Sequence, residues 1–267
     1  MTQIINFFKC IRDLICINIE YLTKKREWNI DDFNKWCENG RPINKNVIRL
    51  DISNSNVKSL KGMENLVNLK YLYCYNNQLT SLKGIENLIN LTELYCYNNQ
   101  LTSLKGIENL INLTELYCHD NQLTLLEGIE NLINLKYLDC SHNFLKSLKE
   151  MKNLVNLKYL FCYINQLTSL EGIENLVNLE YLYYKHNQLT TIKCIEVFIK
   201  LLKNNKKIVS YIHFDTIDFK DYIELIKLFS KFYKLDESSI KFDEYIDEME
   251  KIILDFNMKT SYQTCVI

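Results

Sequence analysis

His119, Asp120, Asp139, Ser141 and His142 bring a hydroxyl, two imidazoles and two carboxylates into one short stretch of chain. A serine near a histidine is the pairing of a nucleophile with its general base, and two histidines with two carboxylates could serve as a metal donor set. The chain also holds ten cysteines. Five of them, Cys74, Cys96, Cys118, Cys140 and Cys162, recur at one interval, and no pair has the CxxC spacing of a zinc site. No phosphate-binding loop, GxGxxG, GxSxG or HExxH sequence occurs. What the polar cluster and the cysteines can do depends on which face of which element carries them.

Composition narrows the classes first. With 32 basic and 33 acidic residues the net charge is -1, and 47% apolar with 24% charged content is that of a folded chain. No segment conceals the broad basic field that non-specific nucleic-acid binding requires, so nucleic acid is not an expected partner. The apolar stretch from Ile4 to Leu22 is interrupted by Lys9, Arg12, Asp13 and Glu20, so it reads as neither a signal core nor a membrane span. Cys265 stands one residue too late for a prenylation signal. A soluble chain in a reducing, cytoplasmic setting is expected, without a membrane partner.

Self-similarity organises the rest. NLINLTELYCYNNQLTSLKGIE at 87–108 recurs almost letter for letter from 109, and the same register begins at Val47, Leu69, Leu91, Leu113, Leu135, Leu157 and Leu179. Within a unit, positions 1, 4, 6, 11, 14, 17 and 20 are apolar; in the second unit these are Leu69, Leu72, Cys74, Leu79, Leu82, Ile85 and Leu88. Positions 3 to 7 alternate with period two and read as a strand, while positions 11 to 20 form a return arc of loop and short 3₁₀ turn. One such coil cannot bury its own flanks, so stacking into a parallel ribbon must supply its stability.

The pattern resembles the leucine-rich repeat, LxxLxLxxN, with Cys in place of the third Leu over 47–200. Its short unit and SLKGIENLINL arc resemble the internalin and phosphatase-regulator class. The Asn-laden variant is similar to leucine-rich repeat proteins of giant DNA viruses. The resemblance implies an α/β solenoid: a right-handed superhelix of seven repeats with a parallel, concave sheet. In that frame the cysteine column points inward as small apolar side chains, and zinc and other cofactors are not expected. Asn77, Asn99, Asn121, Asn143, Asn165 and Asn187 stack at position 9, where their amides can pair backbone groups at the turn, with Ser55 in the first unit. Gly62, Gly84, Gly106, Gly128 and Gly172 share position 16, where a positive φ or a tight approach is expected, and Glu150 and Cys194 break the series.

The outward positions carry the candidate site. Position 3 supplies Tyr71, Tyr137, Tyr159 and Tyr181; position 5 supplies Tyr73, Tyr95, Tyr117, Phe161 and Tyr183; position 7 supplies Tyr75, Tyr97 and Tyr163. His119 and Asp139 add polar contacts at mid-ribbon. Rings with an apolar body and a polar tip offer rigid contact area at low entropy cost, so a protein partner on this face is expected. Catalysis is not, because Ser141 and His119 would sit on an open, solvated face without an oxyanion hole or an orienting carboxylate, and no small-molecule substrate is expected. The flanks read as helical: 1–46 as an N-terminal cap built on Ile4, Phe8, Ile11 and Ile15 and then Trp28, Phe33 and Trp36, and 201–267 as a C-terminal cap or small helical domain. Two other readings stay open, an adaptor that recruits an enzyme through the helical tail and a self-assembling structural component.

Overall fold

The computed structural model describes residues 25–189, together with Val197 and Leu201, which are helical and buried. Eight parallel strands form one sheet in strict chain order. They are β1 (Glu27–Trp28), β2 (Arg49–Asp51), β3 (Tyr71–Tyr73), β4 (Glu93–Tyr95), β5 (Glu115–Tyr117), β6 (Tyr137–Asp139), β7 (Tyr159–Phe161) and β8 (Tyr181–Tyr183). Strands β2 to β8 each occupy positions 3 to 5 of their unit, and Leu50, Leu72, Leu94, Leu116, Leu138, Leu160 and Leu182 pair in register at position 4. The strands are shorter than the expected 3 to 7. The cross-coil ladder nevertheless runs on beyond them through Cys74 N to Tyr95 O and Asn76 N to Tyr97 O.

The register also extends one coil further upstream than the repeat count predicts. Trp28 pairs with Leu50, and Ile48 N donates to Arg26 O at 2.8 Å as Lys70 N donates to Ile48 O. Residues 25–46 are therefore an eighth coil whose arc is a helix, α1 (Ile30–Glu38). A capping box starts it: Asn29 Oδ1 accepts from Asp32 N, and Asp32 Oδ2 accepts from Asn29 N. Phe33 and Trp36 on its inner face join Trp28 over Val47 and Leu50, and the Trp36 indole N–H donates to Pro42 O. The all-helical reading of 1–46 is thus corrected within 25–46: Trp28 lies in a strand, since its neighbour across the ladder is another strand. Residues 1–24, and 202–267 of the C-terminal segment, lie outside the described residues.

The apolar positions of the units from Val47 to Leu189 form one continuous core, all of them buried except Val57, which packs against it partly buried. The arcs turn through short 3₁₀ segments at Met63–Asn65 and Lys149–Asn153. Gly84 has φ of +114°, a left-handed conformation shared by the other glycines at position 16, and a Cβ there would collide with the carbonyl oxygen of Leu60 on the preceding coil. Glu86 Oε2 accepts from Gly84 N at 2.7 Å, a bond repeated by Glu108, Glu130 and Glu174. Where Glu150 replaces the glycine, the chain tightens into the five-residue 3₁₀ helix instead. The position-6 thiols are fully buried and free, and burial pushes Cys96 up to about 12 and Cys74, Cys118 and Cys140 well above the usual range, so they remain neutral fillers.

Asn121 shows what joins the coils. Its amide donates to Cys96 O, Cys118 O and His119 O at 3.1 to 3.2 Å, and its Oδ1 accepts from Leu101 N at 2.9 Å. Asn121→Ala should destabilise the fold by about 1–3 kcal/mol, because the buried Leu101 N loses its acceptor while Cys96 O and Cys118 O keep only the second amide, of Asn99 and Asn143, that each already accepts. The exposed neighbouring change Gln122→Ala should stay within about 0.5 kcal/mol. Urea denaturation of both variants checks the contrast, and a neutral Asn121→Ala would remove the ladder from the account of stability.

Candidate functional site

Strand alternation turns positions 3, 5 and 7 away from the core, and every ring expected there lies at the surface. Tyr71, Tyr73, Tyr75, Tyr95, Tyr97, Tyr117, Phe161, Tyr163, Tyr181 and Tyr183 are half-buried, and Tyr159 is exposed. Because units of equal length superpose, the rings from Tyr73 onward meet a ring one coil along. Tyr75 and Tyr97 stack at 4.5 Å with planes 5° apart, and Tyr97 stacks on the His119 imidazole at 4.3 Å. Tyr73, Tyr95 and Tyr117 follow one another at 4.7 and 4.3 Å, and the run continues through Tyr137 to Phe161 and Tyr181. The Arg49 guanidinium closes the N-terminal end, 4.8 Å above Tyr71.

Carboxylates are woven into these rows. Tyr73 Oη donates to Glu93 Oε2 at 2.9 Å, and Tyr95 Oη donates to Glu115 Oε2 at 3.1 Å. Desolvation, followed by the Glu93 carboxylate, pushes the Tyr73 phenol up to about 12; burial beside Glu115 raises Tyr95 further, and Tyr97, Tyr117 and Tyr137 are raised mainly by burial. The face therefore offers neutral phenols, locked by their neighbours. Position 3 thus carries Glu93 and Glu115 as well as the rings expected there.

The polar cluster resolves differently from its sequence reading. Ser141 is fully buried, between His119 and Tyr163 in its row, not exposed on the open face. Its hydroxyl donates to Asp139 Oδ1 at 2.5 Å and its N–H to the same oxygen at 3.1 Å. Asp51 and Ser53 repeat this arrangement at 2.6 and 3.0 Å in the first counted unit, which marks it as a local turn motif. His119 Nδ1 lies 3.4 Å from Asp139 Oδ2 without hydrogen-bond alignment, and Asp120 lies between His119 and His142 at 3.9 and 3.6 Å. The serine thus donates to the carboxylate rather than to an imidazole, so the Ser–His pairing that the residue types suggest is not formed. Among the described residues no three His, Cys, Asp or Glu side chains converge on a common ion position.

Position 8 explains two more of those residues. Asn54, Asn76, Asn98, Asp120, His142, Ile164 and His186 all have φ between +50° and +56°. Asn, Asp and His tolerate this left-handed conformation, so Asp120 and His142 have a backbone reason for their types. Ile164 does not: a β-branched residue there is strained, and its side chain is exposed. A second feature that sequence reading missed is the exposed column Ile89, Ile111, Ile133, Val155 and Val177 at position 21, beside asparagines whose amides bridge to the preceding coil, as Asn112 does to Ile89 O. Its signal was present as one apolar letter per unit next to the buried position 20.

Comparison with known proteins agrees with this geometry. The family model described as leucine rich repeats (2 copies) matches residues 45–87, 89–131 and 133–175. An internalin from Listeria monocytogenes is 26% identical with a TM-score of 0.59, over 64% of this chain and 49% of that one. A leucine-rich repeat protein of Leptospira interrogans is 32% identical with a TM-score of 0.58, over 66% of this chain and 44% of that one. This chain thus spans about half the length of these two structures or less. The leucine-rich repeat ectodomain of a membrane receptor kinase from Arabidopsis thaliana, in complex with Casparian strip integrity factor 2, shares the fold at 23% identity and a TM-score of 0.53, over 72% of this chain and 23% of that one. No curated protein matches the sequence. No described helix is long and apolar enough to cross a membrane.

Two outcomes test this geometry. Ile164→Asn should stabilise the fold by about 1 kcal/mol, because it relieves left-handed strain at an exposed position; thermal denaturation would show it, and a loss of stability would contradict the strain. In an absorbance titration Tyr73 should ionise near pH 12. Its folded pKa exceeds that of a free phenol, so its contribution is complete below about pH 10 and falls away as pH rises towards 12. Tyr73→Phe should remove that part of the alkaline loss.

Proposed function

From a leucine-rich repeat solenoid of internalin-like type, we propose that this chain is a non-catalytic scaffold that holds a protein partner on the tyrosine-rich face of its sheet. The unbroken run of ring contacts from Tyr73 to Tyr181 carries this reading. Rings already fixed by stacking lose little freedom when a partner lands, and tyrosine combines apolar area with a polar tip, the combination enriched in protein interfaces. His119 and Asp139 supply polar discrimination in the middle of the rows, where a partner's own charges would be desolvated.

The test is capture of a partner by the full chain and by a Tyr95→Ala, Tyr97→Ala, Tyr117→Ala variant. Capture should fall at least tenfold. The rings are half-buried and stacked, so stability should also drop, by about 1–3 kcal/mol, while the circular dichroism spectrum keeps its shape. The matching triple Phe variant should retain the fold and most of the capture. Undiminished capture by the Ala variant would move the site off this face, and concentration-dependent oligomers of the isolated chain in light scattering would favour self-assembly instead.

A further inference from the structure

Resting on that reading of the tyrosine face, we propose that the segment it holds is a proline-rich chain with interspersed basic residues, lying along the solenoid axis in the polyproline II conformation. The spacing of the rows selects this shape. Adjacent rings repeat at 4.3 to 4.7 Å in the best-ordered stretch, Tyr73 to Tyr117 and Tyr75 to His119. Parallel strands advance about 4.8 Å per coil, so two coils advance roughly 9.6 Å. A polyproline II helix completes one turn of three residues in about 9.3 Å, returning every third side chain to the same face. Over the length of the ribbon the two repeats stay in step.

Other chain conformations do not keep step. An extended strand presents same-face residues about 6.7 Å apart, which fits neither one coil nor two. An α-helix advances about 5.4 Å per turn, and slips about 0.6 Å per coil, so it is half a spacing out after roughly four coils. Polyproline II also has no internal hydrogen bonds and little conformational freedom to lose, and its proline rings pack against aromatic-lined surfaces.

Charge on the same face specifies the basic residues. Glu93 and Glu115 stand at position 3 and Asp139 at position 5, among the rings. Glu93 and Glu115 each accept a tyrosine hydroxyl on Oε2, which fixes the carboxylate and leaves Oε1 facing a second donor such as a guanidinium. The occupant is not a segment of these 267 residues, which contain one proline, Pro42.

Isothermal titration of the full chain with a synthetic peptide of five Pro-Pro-Arg repeats tests this. Binding in the micromolar range is expected, weakened at least tenfold by Tyr95→Ala with Tyr97→Ala, and several-fold by Glu93→Gln with Glu115→Gln, a pair that retains hydrogen bonding to the phenols. A Gly-Ser-Arg peptide of equal length and charge should bind at least tenfold more weakly. Equal affinity for that flexible peptide, no binding of the proline peptide, or preference for a single-stranded oligonucleotide would each overturn the proposal. The two readings fail separately. If the Ala variant loses its protein partner while the proline peptide neither binds nor competes, the face is a partner site for another conformation; if the Ala variant keeps its partner, the face itself is wrong.

Discussion

The solenoid depends on the pairing of backbone groups where each coil leaves the sheet. At that corner the carbonyl of position 6 and the N–H of position 11 on the preceding coil lack a backbone partner, whereas the carbonyl of position 7 already accepts from the position-8 N–H of the preceding coil, as Tyr97 O does from Asn76 N. One carboxamide per coil satisfies the first two. Asn99 and Asn143 make the same bonds as Asn121, each spanning two coils. Several such groups left unpaired in an apolar interior would cost more than an asparagine costs to bury, so the ladder, rather than leucine packing alone, holds every coil to one length.

Equal coil length then produces the surface. Side chains at one position superpose along the axis, so a single tyrosine in the unit becomes a row of stacked rings, and a single isoleucine at position 21 becomes a stripe. The Tyr73–Glu93 and Tyr95–Glu115 bonds run in the same direction for the same reason. Departures from the unit acquire meaning against this background. Ser141 with Asp139 is read as a turn because Ser53 with Asp51 makes the same bonds elsewhere, while Ile164 stands out because its six counterparts are polar residues suited to the left-handed conformation. The repeat thus acts as its own control for separating structural from functional side chains.

The tyrosine face combines rigidity with neutral phenols. Burial and the neighbouring carboxylates hold the phenols protonated, and the guanidinium of Arg49 and the carboxylates of Glu93, Glu115 and Asp139 supply the charge. An apolar, periodic face with fixed charges favours a ligand whose own repeat matches the coil spacing. Such matching gains affinity mainly by avoiding reorganisation of either partner.

The period of the amino-acid sequence by itself determined the number of counted units, the inward column of leucines and cysteines, the positive-φ glycines and the outward tyrosines, because identical spacing forces identical orientation once strands alternate. It could not determine which atoms meet. The contacts that define the site join residues about one unit apart, such as Tyr73 to Glu93 and Tyr97 to His119, and rest on side-chain rotamers that periodicity leaves free. The eighth coil was also hidden, since residues 25–46 keep the 22-residue length but replace the arc letters with a helix. Burial of Ser141 and the left-handed backbone at Asp120 and His142 were decided by the tertiary structure alone, because the local turn takes up polar groups that the sequence presents as available chemistry.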